Sequence, residues 1–297
     1  MINIIVSPYQ IEDIERLKKV GATTMVVGTT FYSVGSVTYF SMDELQKVHQ
    51  KCRQAQVQLY VLLNRFFLED ELLGLREHLA QLKKLDVDGI YFSDLAVFYE
   101  AKQMDMQNKL IYNPDTLLTN HKDIQAYLDL GIHMCTIAKE ITLTDILHIA
   151  DTVCGEIELI VHGRLKMMHS KRKLLSNYFA FIKKDVVLKN KHTFYLQEEH
   201  RDEHMPIVEE DSGTHIFSGF CLASFEEMQD FLEHGIQNFR IEALFSNLEE
   251  QCQIVQDYKD VIDKKCDGRE IYKKYEAHEK QQNITKGFLF KKTGAKK

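Results

Sequence analysis

The sequence predicts an α/β chain folded as a (β/α)8 TIM-like barrel with a basic insertion after strand seven. Three observations carry that prediction. Eight short runs of apolar and β-branched residues alternate with stretches of helical spacing, the pattern of parallel strands joined by helices. The length, 297 residues, suits a barrel that folds as one unit. Only 3 prolines and 14 glycines leave little scope for long structureless linkers.

The first strand is expected at Asn3–Ser7. A helix follows over Gln10–Val20, where Ile11, Ile14, Leu17 and Val20 recur at three-residue spacing. Met25–Gly28 is the second strand, and its helix begins at Met42 and runs to about Gln54. Val57–Leu63 is the third strand. The helix over Glu69–Leu85 places Leu72, Leu75, Leu79 and Leu82 on one face. Gly89–Phe92 is the fourth strand, with Asp94 as N-cap of a short helix. Leu110–Tyr112 is the fifth, followed by a helix over Lys122–Leu130. Ile132–Ile137 and Ile157–Val161 are the sixth and seventh, separated by a helix over Thr142–Ala150. A helix at Phe225–Glu233, an eighth strand at Phe239–Glu242 and a helix at Leu248–Ile262 close the pattern.

The alternation is interrupted between Gly163 and Phe220. That span is too long for an ordinary connection. It has strand-like pieces at Thr193–Leu196 and Thr214–Phe217, so it is expected to fold as a small insertion on the barrel of residues 1–262. Residues 263–297 are expected to form a basic C-terminal tail.

Apolar residues make up 44% and charged residues 27%, ordinary for a soluble globular protein. No run approaches the ~18 apolar residues that span a bilayer, so no membrane contact is expected. The N-terminus, MINIIVSPYQ, lacks a basic region before its apolar run and is expected to be a strand, not a signal peptide. Six scattered cysteines without a C-x-x-C pair suggest reduced thiols and a cytoplasmic setting. Net charge is −7, unevenly spread. His162–Lys191 holds nine basic residues and one acid, and Lys286–Lys297 holds five lysines and none. A basic insertion on an acidic body suggests an anionic partner; a solvated loop that only aids solubility explains the same charges.

The segment ELIVHGRLKMMHSKRKLLSNYF (Glu158–Phe179) resembles the signature of the collagenase-like peptidase family: Glu, three residues, His-Gly, two residues, Cys, six residues, Cys, two residues, Ser. Lys166 and Lys173 stand at the two cysteine positions. GTHIFSG (Gly213–Gly219) and FLEHGIQNFRIEALF (Phe231–Phe245) are similar to two further blocks of that family, with Ala243 where glycine is usual. YNPDTLLTN (Tyr112–Asn120) and EEHRDEHMPIVEEDSGT (Glu198–Thr214) look closest to a short Gram-positive branch that accompanies a longer paralogue. The resemblance implies the same barrel. It also implies a catalytic or accessory part in tRNA wobble-uridine hydroxylation, with tRNA or another RNA as partner, and a longer paralogue or self-association. Two readings stay beside it: a collagenase-like peptidase of unknown mechanism, and a noncatalytic barrel that stabilises its paralogue. Some family members hold an iron–sulfur cluster through four cysteines. Lysine cannot replace thiolate as a soft ligand, so no such cluster, and no other cofactor, is expected here. His192, His200 and His204 fit no standard zinc spacing, so no metal site is expected.

Side chains alternate along a strand, so Glu158, Ile160 and His162 are expected on one side. If that side is the barrel interior, Glu158 and His162 reach the mouth beside Glu242 and form a catalytic group, since a carboxylate orients a histidine and raises its basicity. The same residues as an ion-pair layer closing the barrel is the plainer alternative. Substrate contacts are expected from Arg164, Lys166, Lys171, Arg172 and Lys173 as phosphate ligands, with Asn177, Arg240 and Arg201. Arg201 suits bidentate anion binding or a pairing with Glu199 or Glu209. Asn64, Asp94, Asn113 and Asn120 lie near strand ends, where capping is their commoner role. No local protease signature is present, and Ser176 has only the distant His162 as a conceivable base.

Overall fold

The structure is a computed structural model that describes residues 2–188, 194–199, 203–278 and 283–291. Its strands in chain order are β1 (Asn3–Val6), β2 (Thr24–Thr29), β3 (Tyr39–Phe40), β4 (Gln58–Leu63), β5 (Gly89–Phe92), β6 (Leu110–Tyr112), β7 (Met134–Thr136), β8 (Glu156–Gly163), β9 (Lys166–Ser170), β10 (Tyr195–Gln197), β11 (His204–Glu210), β12 (Gly213–Phe217), β13 (Cys221–Ala223), β14 (Asn238–Ile241) and β15 (Ile284–Thr285). The helices are α1 (Asp13–Lys19), α2 (Met42–Ala55), α3 (Leu72–Leu85), α4 (Leu95–Gln103), α5 (His121–Asp129), α6 (Leu143–Thr152), α7 (Leu174–Phe181), α8 (Met228–Glu233), α9 (Leu248–Ile262) and α10 (Gly268–His278).

Strands β1, β2, β4, β5, β6, β7, β8 and β14 pair in parallel, and β14 bonds both β8 and β1. The ring therefore closes, and the expected (β/α)8 barrel is the observed fold. The helices form where expected, with boundaries moved by a few residues. Local chemistry explains several ends. Ser41 and Glu44 form a capping box at α2, and Asp94 accepts from Ala96 N at 2.9 Å to start α4. Leu75, Leu79 and Leu82 of α3 are fully buried against the strands. Inside the ring, Ile5, Val26, Tyr60, Leu62, Ile111 and Met134 form a separate core. Among the described residues, no helix is long and apolar enough to cross a membrane.

The span between β8 and α8 folds as a four-stranded antiparallel sheet in the order β10-β11-β12-β9. Met205, Ile207 and Ile216 give it a small core of its own. Val208 and Phe217 pack on Leu244 and join it to the barrel mouth. Lys166–Ser170, within the basic run and not among the strand-like pieces expected there, is strand β9, paired with β12. The piece expected at Thr193–Leu196 is β10, and Thr193 lies outside the described residues. The chain returns through β13, antiparallel to the end of β8.

Beyond Ile262 the described chain packs on the barrel. Tyr272 and Tyr275 of α10 are buried, and Tyr275 Oη donates to Asp257 at 2.8 Å. β15 pairs with β13, and Leu143 N donates to the Leu289 carbonyl at 2.9 Å. Lys286, counted among the basic tail residues, pairs with Glu226 at 2.5 Å and Glu227 at 2.8 Å.

Candidate functional site at the barrel mouth

Glu158 projects from β8 into the barrel and is completely buried. Tyr91 Oη donates to its Oε2, and Thr136 Oγ1 donates to its Oε1 at 2.8 Å. Burial pushes its carboxyl pKa up; the Arg240 charge and the two hydroxyl donors oppose that rise. Arg240 enters from β14, with its guanidinium 4.7 Å from the Tyr91 ring centre and its Nε 3.0 Å from Glu242 Oε1. Burial alone would depress the Arg240 pKa, but Glu242, Tyr91 and Glu158 outweigh it and hold the cation.

Nearer the opening, Asp115 accepts ion pairs from Lys139 at 3.1 Å and Lys166 at 2.8 Å. Burial works against the Asp115 charge, yet the two ammonium groups hold its pKa down at about 2. Lys139 is depressed by burial, with Asp115 opposing. Tyr91, Thr136, Asp115 and Lys139 were missed in the sequence. Each lies within or just beyond a barrel strand, and that position is the signal that points to them.

His162 is not part of this group. Strand pairing matches Arg240 to Ile160 but Ile241 to His162, so β8 carries one extra residue there. Such a bulge breaks the alternation. It turns His162 out of the barrel, where the ring sits among Phe225, Tyr258 and Tyr275. Its Nδ1 is 3.4 Å from Tyr258 Oη and its Nε2 3.9 Å from Cys221 Sγ. Burial lowers its pKa to about 3, so it is neutral. The expected Glu158–His162–Glu242 cluster is therefore corrected to Glu158, Arg240 and Glu242, with Tyr91 and Thr136. Gly163 follows at φ +110°, and a Cβ there would lie 2.5 Å from the Glu242 carbonyl oxygen. That close approach accounts for the glycine of the His-Gly pair.

The conceivable Ser176–His162 pair does not form either. Ser176 Oγ donates to Glu209, whose Oε2 also accepts from Leu175 N at 2.8 Å and Ser176 N at 3.2 Å. Glu209 thus caps the first turn of α7.

The expected substrate residues divide into two groups. Arg164, Lys166 and Arg240 belong to the mouth. Arg164 donates to the Ser218 carbonyl at 2.8 Å, and burial lowers its pKa. Lys171, Arg172, Lys173 and Asn177 are exposed on the turn into α7 and on α7 itself. Lys173 makes a loose pair with Asp211 at 3.4 Å. The same face exposes Tyr178 and Phe181, the latter at 84%, followed by exposed Lys183 and Lys184. Beside it, a cleft of about 1160 Å³ runs between the insertion and the loops after β2 and β4, lined by Phe31, Arg65, Lys171, Lys173, Val187 and Phe194 among others.

Arg201, His192 and His200 lie outside the described residues. The polar residues near strand ends serve as local clamps. Asn64 bonds Val34 through both backbone groups, at 3.0 and 3.1 Å. Asn113 accepts from Asp115 N at 3.2 Å, and Asn120 caps α5. At the two cysteine positions of the family signature, Lys166 is an ion-pair partner in the mouth and Lys173 lies at the surface. This donor set does not fit a cluster held in that manner.

A parallel barrel whose mouth is packed with ion pairs and roofed by a small antiparallel sheet defines the class of this protein. The model of Peptidase family U32 matches residues 9–297, and the chain belongs to that family. It is 30% identical to tRNA hydroxylation protein P2 of Bacillus subtilis, across 98% of both chains. It is 22% identical to tRNA hydroxylation protein P1 of the same organism, covering 86% of this chain and 62% of that one. Among solved structures, the U32 peptidase Mk0906 matches with a TM-score of 0.52 at 13% identity, over 81% of this chain and 92% of that one. That last likeness bears on the fold alone.

Proposed function

We propose that this chain acts in tRNA hydroxylation, holding tRNA on the exposed face of the insertion and presenting a wobble uridine to the cleft beside it. The observation that carries the reading is the end-to-end similarity to tRNA hydroxylation protein P2. The physical support is the face itself. Lys171, Arg172 and Lys173 on one side and Lys183 and Lys184 on the other flank exposed Tyr178 and Phe181 in the chain. RNA is held by phosphate contacts and by bases stacked on aromatic rings. The neighbouring cleft exceeds the ~300–1,000 Å³ typical of small-molecule sites, so an extruded nucleoside fits.

The test is mass spectrometry of tRNA from a host stripped of its own tRNA hydroxylation proteins. Expression of this chain is expected to restore 5-hydroxyuridine derivatives, alone if it is the catalyst, or only with a longer paralogue if it is the RNA-holding subunit. Restoration under neither condition refutes the proposal. A second expectation concerns the missing thiolates. Protein purified without oxygen should be colourless, because lysines stand at positions 166 and 173. Stoichiometric iron and sulfide would contradict that.

A further inference from the structure

We infer that the barrel mouth binds one small oxyanion, a carboxylate or phosphate group, between Arg240, Lys139 and Lys166. A cavity of about 40 Å³ lies there, lined by these three residues together with Arg164, Asn113, Asp115 and Glu242. Arg240 Nε is committed to Glu242, but Nη1 is buried and has no hydrogen-bond partner among the described residues. A buried guanidinium donor without an acceptor is rare and costly. An oxyanion in the cavity supplies that acceptor.

Charge points the same way. Lys139, Lys166 and Arg240 line the cavity beside Asp115 and Glu242. Asp115 alone serves both Lys139 and Lys166. On the other side, Glu242 and Glu158 both act on Arg240. An anion between the lysines and Arg240 adds a second counter-charge for Lys139 and Lys166 and an acceptor for Arg240 Nη1. Size narrows the class. One water-sized sphere takes up ~10–15 Å³, so the space holds a single carboxylate or phosphate group and not a nucleobase. A ligand binds by inserting one such group, or is itself that small.

The inference does not depend on the RNA reading, and its probes contain no RNA. Full-length protein is titrated calorimetrically with inorganic phosphate and, separately, with malonate, at matched ionic strength. One saturable site per chain is expected for at least one of them. Saturation by phosphate alone assigns a phosphoryl group, and saturation by malonate alone assigns a carboxylate. Arg240→Lys keeps a positive charge near Glu242 but removes the fork, and should weaken binding at least tenfold. Lys139→Gln should also weaken it, and stands in if Arg240→Lys fails to fold. Absence of saturable binding of either anion at millimolar concentration, or equal binding by wild type and a folded variant, overturns the inference.

Discussion

Glu158→Ala is expected to cost about 3–5 kcal/mol of folding stability, the range for breaking a buried charge pair by removing one partner. The carboxylate is completely buried, and three groups depend on it. Tyr91 Oη and Thr136 Oγ1 lose their acceptor, and Arg240 loses one of the carboxylates that hold its charge. Glu158→Gln retains one acceptor oxygen and should cost less. His162→Ala should also destabilise, by about 2–5 kcal/mol as for other large-to-small core changes, because the ring fills a pocket among three aromatics. The two sites differ in their bearing on ligand affinity. Folded His162→Ala protein should bind RNA and anions as the wild type does, since its side chain faces away from the mouth. Denaturant midpoints measured beside anion and RNA affinities separate the cases. A Glu158→Ala variant within about 1 kcal/mol of wild type would show that the network does not hold the barrel together.

The barrel was legible because its signals are local and repeated. Leu72, Leu75, Leu79 and Leu82 mark a helix by spacing, and Gly89–Phe92 and Leu110–Tyr112 occur as strands with the expected bounds. The insertion was legible as a folded unit but not as a sheet. HMPIVEE does not alternate, and nothing in KMMHS (Lys166–Ser170) marks a strand until β12 pairs with it. The site was half legible. Glu158, Arg240 and Glu242 follow from strand alternation. His162 does not, because one extra residue in β8 reverses its face and nothing in ELIVHG marks a bulge. Lys166 resembled a surface phosphate ligand because it sits in a basic run. Its partner Asp115 is far away in sequence and meets it only when the barrel closes.

The second large effect concerns the insertion face. Replacing Lys171, Arg172 and Lys173 together by Ala should weaken RNA binding and flatten its salt dependence, by about 0.7–0.9 in log–log slope for each phosphate no longer held. Raising salt fourfold weakens binding by about threefold per phosphate on that slope, so the variant should lose roughly 30-fold less affinity over that interval than wild type. These side chains are exposed on the turn into α7, and Glu209 holds that turn through backbone groups the substitutions leave in place. The melting temperature should therefore barely move. Tyr178→Ala with Phe181→Ala supplies the complementary result. Stacking contributes about 1–3 kcal/mol per base and carries no counterion term, so affinity should fall while the slope stays unchanged. Truncation after Phe290 removes four lysines and leaves the buried Leu289 and its bond with Leu143 intact. A slope lowered by that truncation and untouched by the triple substitution would move the RNA-binding surface to the C-terminus. A slope unchanged by both would mean that the charges of the insertion only keep it solvated, and the tRNA-holding role would fall with them.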